Sequence, residues 1–238
     1  MNAGKENEGK VSIHLDQIVP WGRSLGEYIR MFDLTDRNMQ SSILDCAGGP
    51  ASFNAEVHRR NRNVISCDPI YAFSTRDIAA KVDEACQTVL RAAEQNRANF
   101  VWREIESVEH LRNLRMEAMR QFREDFPIGA SQGRYLVAAL PNLPFRAKTF
   151  DLALCSHFLF TYSNMLTLQF HLDSIRELCR VATETRISPL LPGFSNERSS
   201  YVLEVMNRLT AEGYGCEVRS VAYEFQKGGN EMLRVWQS

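Results

Sequence analysis

Short apolar runs alternate along this chain with longer polar or mixed segments. The runs at residues 43–46, 64–67, 135–138, 151–155 and 186–191 predict strands. Helical or long segments separate them, the alternation of a parallel sheet whose helices cover both faces. Near the C-terminus the rhythm changes. Residues 216–225 and 232–236 flank Gln226-Lys227-Gly228-Gly229-Asn230, which has hairpin chemistry and predicts an antiparallel pair. Before it, Val202, Val205, Met206 and Leu209 fall at helical spacing and predict a helix over 199–211 lying on one face of the sheet. At the other end, Trp21-Gly22-Arg23-Ser24 reads as a lead-in turn, with Ser24 the N-cap of a helix running through Glu27, Tyr28 and Met31.

One segment breaks the economy of this plan. About sixty residues, 71–133, separate the second and third predicted strands, where about a dozen suffice for a crossover. Residues 75–97 and 107–126 within it predict charged amphipathic helices, either an enlarged crossover or dimer surface, or a lid that selects substrate. The expected organisation is a flexible polar tail at 1–10 and a single α/β domain over 11–238.

Composition narrows the partners. With 28 Lys and Arg against 29 Asp and Glu, no strong attraction to nucleic acid or to an anionic membrane is expected. No apolar stretch of roughly 18 residues is present, and the start carries no signal-peptide core. The 6 cysteines, at 46, 67, 86, 155, 179 and 216, form no C-x-x-C pair, so no metal site or disulfide framework is expected and a cytoplasmic setting fits. Three of them end predicted strands, where side chains of neighbouring strands can point to opposite faces and act as small buried hydrophobes.

Chemistry gathers at the strand ends. Ile43-Leu44-Asp45-Cys46-Ala47-Gly48-Gly49-Pro50-Ala51-Ser52-Phe53 reads as strand, tight loop and helix start. Small residues let a ligand approach the backbone, and free N–H groups at a helix start can hold a polar group. The second strand ends in Cys67-Asp68-Pro69, where a carboxylate about twenty residues beyond the loop can accept the two hydroxyls of a ribose. Farther on come Leu143-Pro144-Phe145 and Phe150-Asp151-Leu152, followed by Ser156-His157.

In this order and spacing, over residues 43–186, these motifs resemble the class I S-adenosylmethionine-dependent methyltransferases. The resemblance implies a doubly wound, Rossmann-like, seven-stranded and mostly parallel sheet, ending in an antiparallel hairpin and carrying a helical insertion. It also implies S-adenosylmethionine as cofactor and S-adenosylhomocysteine as product. The balanced charge and the insertion at 71–133 favour a small-molecule methyl acceptor over nucleic acid, with a protein acceptor and a homodimer left open. By the resemblance, Ala47, Gly48 and Gly49 pass under the methionyl part, and Asp45 orients the loop or reaches the ammonium through water. Asp68 holds the ribose, Pro69 and Ile70 flank the adenine, and Leu140 lies at its other edge. Ser156 and His157 end the fourth strand beside the methyl group, with His157 the candidate general base. Arg23, on a helix that closes over the cofactor, matches the methionyl carboxylate. Tyr162 and His171 flank the same crossover as pocket-lining or structural side chains.

The chain also departs from that family's pattern. Ala47, Gly49 and Ala51 stand in place of three glycines, Ala139 stands where an Asp or Asn often binds adenine, and Ala182-Thr183-Glu184-Thr185 stands in place of a Gly-rich turn. Two other accounts therefore remain beside the enzyme: a methyltransferase-like binding or scaffold module, and, with less support because G-x-G-x-x-G is missing, a nicotinamide-dependent oxidoreductase.

Overall fold

A computed structural model describes residues 18–237; the predicted tail at 1–10 lies outside them. Strands β1 (Ile43–Cys46), β2 (Val64–Cys67), β3 (Tyr135–Leu136), β4 (Phe150–Ser156), β5 (Ala182–Ser188), β6 (Tyr214–Ser220) and β7 (Glu231–Gln237) form one sheet in the order β3-β2-β1-β4-β5-β7-β6. The first five are parallel and β7 runs antiparallel between β5 and β6. This is the doubly wound, Rossmann-like, seven-stranded and mostly parallel sheet with an antiparallel C-terminal hairpin that the sequence predicts. Strand order reverses at β1, which places the ends of β1, β2 and β4 at the crevice where such sheets bind ligands.

Helices cover both faces. α5 (Leu168–Val181) and α6 (Tyr201–Ala211) bury Leu172, Ile175, Leu178, Val202, Val205 and Leu209 against one of them. α1 (Leu25–Phe32) and α2 (Phe53–His58) bury Leu25, Tyr28, Phe32, Phe53 and Val57 on the other. Ser24 and Glu27 form a reciprocal capping box at the start of α1, as Ser24 predicts. At its end, the buried Arg186 donates to the Phe32 and Asp33 carbonyls, a cap no local signal announces.

Three boundaries differ from the sequence expectation. The strand expected at 186–191 begins four residues earlier and stops at Ser188. Ala182-Thr183-Glu184-Thr185 is thus the first half of β5 rather than a turn, because α5 passes straight into the strand and Pro189 offers no ladder donor. β3 pairs only at Tyr135 and Leu136, since β2 ends at Cys67 and leaves residues 137–138 without a partner strand. β6 begins two residues before the expected 216 and stops at Ser220 instead of 225, β7 runs one residue farther at each end, and residues 221–230 form a folded-back loop instead of a tight turn. Val101 N–H donates to the Phe225 carbonyl and Phe100 bridges Gln226, so this loop pairs with the insertion.

The insertion itself holds α3 (Thr75–Gln95) and α4 (Val108–Ser131), the latter continuing past Pro127. Its two helices enclose separate apolar clusters, one around Ile78, Val82, Phe122 and Phe126, the other around Ala93, Phe100 and Leu111. Cys46, Cys67 and Cys155 sit in register on adjacent strands and share one buried cluster. They therefore point to the same face, where burial keeps the Cys155 thiol up at about 12.

Candidate functional site

A cavity of about 340 Å³ opens over the ends of β1, β2 and β4. Its floor is the loop after β1, and the loop's shape follows from what lies beneath it. Ala47 and Gly49 both adopt left-handed backbone conformations, with φ of 56° and 53°. For Ala47 this conformation is strained, costing about 1–2 kcal/mol. Gly48 is required for a different reason: a Cβ there would overlap the Asp45 carboxylate. Gly49 N–H donates to Asp68 Oδ2 at 3.0 Å, and its carbonyl accepts from Tyr71 Oη at 2.9 Å. Asp68 Oδ1 accepts from Ile70 N–H at 2.8 Å, so one carboxylate ties the loop to the start of the next turn. Burial raises its pKa, while these backbone donors pull the other way.

Asp45 lies under the loop and does not line the cavity. Its carboxylate accepts from Tyr28 Oη at 3.0 Å and Ser66 Oγ at 2.9 Å. Burial pushes its pKa up to about 7 despite those hydroxyls, with the Asp68 charge adding to the rise. Its contact with the loop is the close approach of Gly48 over the carboxylate.

The roof begins with residues 18–24. Val19 N–H donates to Tyr162 Oη at 2.8 Å, and Ser52 N–H donates to the Arg23 carbonyl at 3.1 Å. Gly22 passes so close to Pro50 that a Cβ would overlap its carbonyl. Trp21 packs against both apolar clusters of the insertion. This strap delivers Arg23 into the cavity, where Nη1 donates to the Trp21 carbonyl at 3.1 Å and the buried Nε has no partner. Among the described residues Arg23 has no carboxylate partner.

Glu27, the carboxylate whose charge favours the Arg23 cation, is taken by Arg115 from α4. Arg115 is 1% exposed and reaches Glu27 with two nitrogens, each at 2.7 Å. Tyr223, from the loop before β7, donates to Glu27 at 3.1 Å. Although burial alone would raise it, the arginines hold Glu27 down at about 2. Burial, and then the neighbouring Arg115, press the Arg23 guanidinium below its ordinary range.

His157 has φ of 48° and is fixed by its own N–H to the Ser188 carbonyl at 2.7 Å. Its Nδ1 lies 3.0 Å from Ser156 Oγ. Burial, with Arg23 and Arg115 adding repulsion, drives the pKa well below the usual imidazole value, so the ring is neutral at neutral pH.

Arg23, Ala47, Gly48, Gly49, Asp68, Pro69, Ile70, Ser156 and His157 all line this one cavity. Leu140 does not: it is buried in the core cluster beside Leu143, because the chain turns back through the Ala139 and Asn142 bridge. Tyr162 lines the cavity, whereas His171 is held between the Thr167 and Leu159 carbonyls as a structural side chain. Sequence reasoning missed Trp21, Tyr28, Arg115, Tyr223 and Phe225 at the site. Of these, Trp21, two residues before Arg23, had a local signal. Among the described residues, no group of three or more His, Cys, Asp or Glu could hold a metal, and no helix is long and apolar enough to cross a membrane.

No family model matches the chain. Among solved structures it is similar to magnesium protoporphyrin IX methyltransferase from Synechocystis, solved with bound S-adenosylmethionine. That similarity is 12% identity over 85% of this chain and 73% of the other, with a TM-score of 0.44. A S-adenosylmethionine-dependent methyltransferase from Aquifex aeolicus gives 12% identity over 88% of this chain and 91% of the other, at a TM-score of 0.40. In sequence, the uncharacterized protein MJ0045 of Methanocaldococcus jannaschii is 32% identical over 228 residues, covering 94% of this chain and 98% of that protein. At that identity and coverage, the chain belongs to the same family as MJ0045.

Proposed function

We propose that this protein is an S-adenosylmethionine-dependent methyltransferase acting on a small molecule. The observation that carries the reading is Arg23: a half-buried arginine whose buried Nε has no partner and which meets no carboxylate among the described residues, in the same cavity as a close-approach loop and a strand-end aspartate. An unpaired buried cation is costly, and an anionic ligand group relieves it. The α-carboxylate of S-adenosylmethionine is such a group. Ala47, Gly48 and Gly49 would lie under the methionyl chain, Asp68 would take the ribose hydroxyls, and Pro69, Ile70 and Phe73 would border the adenine.

When bound, the cofactor supplies a methyl group already activated on a sulfonium. The chain's own contribution is then chiefly to place the acceptor in line with it. His157 is the residue we assign to accept the acceptor's proton. It is neutral, its Nδ1 faces Ser156, and Nε2 has no hydrogen bond among the described residues.

Calorimetric titration with S-adenosylhomocysteine and with methylthioadenosine tests this directly, because the second ligand lacks the carboxylate. Arg23→Gln is expected to weaken S-adenosylhomocysteine about 30- to 100-fold, roughly 2–3 kcal/mol, and to leave methylthioadenosine unchanged. Failure of the unsubstituted protein to bind either nucleoside at millimolar concentration would overturn the proposal. His157→Gln is expected to lower turnover while leaving cofactor affinity in place.

A further inference from the structure

Resting on the cofactor reading above, the charges and surfaces of the remaining cavity specify the methyl acceptor. Arg115 is matched by the bidentate Glu27. Arg23 is matched once a carboxylate ligand is bound. His157 is held neutral, and Asp45 is shut beneath Gly48. Lys81, at the rim, is exposed and lies 4.8 Å above the Phe73 ring. Asp68 is engaged by the Gly49 and Ile70 N–H groups at the end of the cavity assigned to the ribose. On the acceptor's side, therefore, no buried charge is left to neutralise. A carboxylate, phosphate or ammonium on the bound part of the acceptor would be buried without an opposite charge, which proteins avoid because desolvation costs several kcal/mol.

The wall that remains is aromatic. Phe100 and Phe225 stack with centroids 4.7 Å apart, and Phe194 meets Phe100 edge-on at 6.1 Å. All three line the cavity, with Trp21 beside them. Rigid rings of this kind select flat ligands through offset and edge contacts. Polar groups are few on this side. Thr161 lines the cavity, and its buried hydroxyl has no partner among the described residues. Gln226 is fixed by donating its amide to the Pro192 and Ser195 carbonyls.

We infer that the methyl acceptor is an uncharged, flat aromatic molecule bearing a hydroxyl, held between the Phe100, Phe194 and Phe225 wall and the Thr161 side of the cavity. In the transfer, the acceptor's oxygen forms a bond to the methyl carbon as the carbon–sulfur bond breaks with its electron pair left on sulfur. The hydroxyl proton passes to His157. The products are an aryl methyl ether and a neutral sulfide, and no oxidant or further reactant is needed.

The test compares 5-hydroxyindole, indole-5-carboxylate and cyclohexanol, each titrated into the full chain saturated with S-adenosylhomocysteine. The hydroxyindole is expected to bind at least about tenfold tighter than either other probe, as burial of one unmatched charge or loss of one aromatic face requires. Phe225→Ala and, separately, Phe194→Ala are each expected to weaken it several-fold with S-adenosylhomocysteine affinity unchanged, which also shows that the variants are folded. Binding of the carboxylate or of cyclohexanol as tightly as the hydroxyindole overturns the acceptor class, as does absence of hydroxyindole binding to the loaded protein. A protein that takes up no S-adenosylhomocysteine overturns the cofactor reading first, and the charge argument with it, so the two failures are told apart in the first titration.

Discussion

Glu27 meets Arg115 and Tyr223 across 88 and 196 residues of sequence, whereas the loop on the opposite wall of the cavity is tied to Asp68 and Tyr71 across 19 and 22. The loop is held by backbone donors, a tyrosine hydroxyl and the strand ends next to it, and its shape follows from small residues. The roof is held by a buried ion pair joining α1 to the insertion, with the β6–β7 loop closing over it. A wall built locally loses little when one partner goes. A wall built on one desolvated pair stands or falls with that pair, since removing one member strands a charge in the interior.

The largest expected effect is therefore at the roof. Arg115→Leu should destabilise the protein by about 3–5 kcal/mol, because Glu27 is left buried without the cation that matches its charge. Thermal unfolding measures this, and combining the substitution with Glu27→Met should restore most of the loss. If the single and double variants are equally unstable, the pair is not what holds the insertion down.

The next effect is a pH dependence beneath the loop. Asp45 keeps its proton up to about 7 in the folded chain, while the unfolded chain releases it near the ordinary aspartate value of about 4. Between those values the folded state binds more protons, so this group's contribution to stability falls as pH rises from about 4 to 7 and is level above. Asn at this position can keep both hydroxyl contacts without titrating. Relative to Asp45→Asn, the unsubstituted protein should lose on the order of 2–4 kcal/mol across that window in chemical denaturation. His157 acts with the opposite sign. Its lowered pKa lets the unfolded chain take the proton first, so its contribution is lost as pH falls below about 6.5. A difference curve that is flat in pH would show Asp45 to be ionised throughout.

The smallest effect sharpens the loop's side of the comparison. Ala47→Gly removes a left-handed alanine and should stabilise the fold by up to about 1 kcal/mol, the strain relieved being partly offset by glycine's greater freedom when unfolded. Gly49→Ala should shift the midpoint the other way. Equal and near-zero shifts for both would mean that the loop tolerates either residue at these angles.

How far each wall was legible follows the same division. Asp45, the small-residue loop and Asp68 were readable because strand, loop and following carboxylate are close in sequence and obey one spacing. The capping box at Ser24 and Glu27 was readable for the same reason. The start of β5 was not, because residues 182–185 carry no helix-stop signal of their own and become a strand only by pairing with β4. Residues 221–225 read as strand from the hairpin chemistry of the segment after them, yet Tyr223 and Phe225 serve the roof and the aromatic wall. Leu140 was placed at the adenine by analogy of position, and the turn at Ala139 carried it into the core instead.

By itself the sequence determined the alternation that makes a doubly wound sheet, the strand ends that border the cavity, and the residues of its floor. These are short-range matters of periodicity, backbone freedom and spacing. The tertiary structure alone decided that Glu27 belongs to Arg115, leaving Arg23 without a carboxylate among the described residues, and that rings from three distant segments form one wall. Neither is encoded in any local pattern: which carboxylate meets which guanidinium, and which rings share a surface, depends on how α1, the insertion and the β6–β7 loop are brought together when the apolar faces are buried.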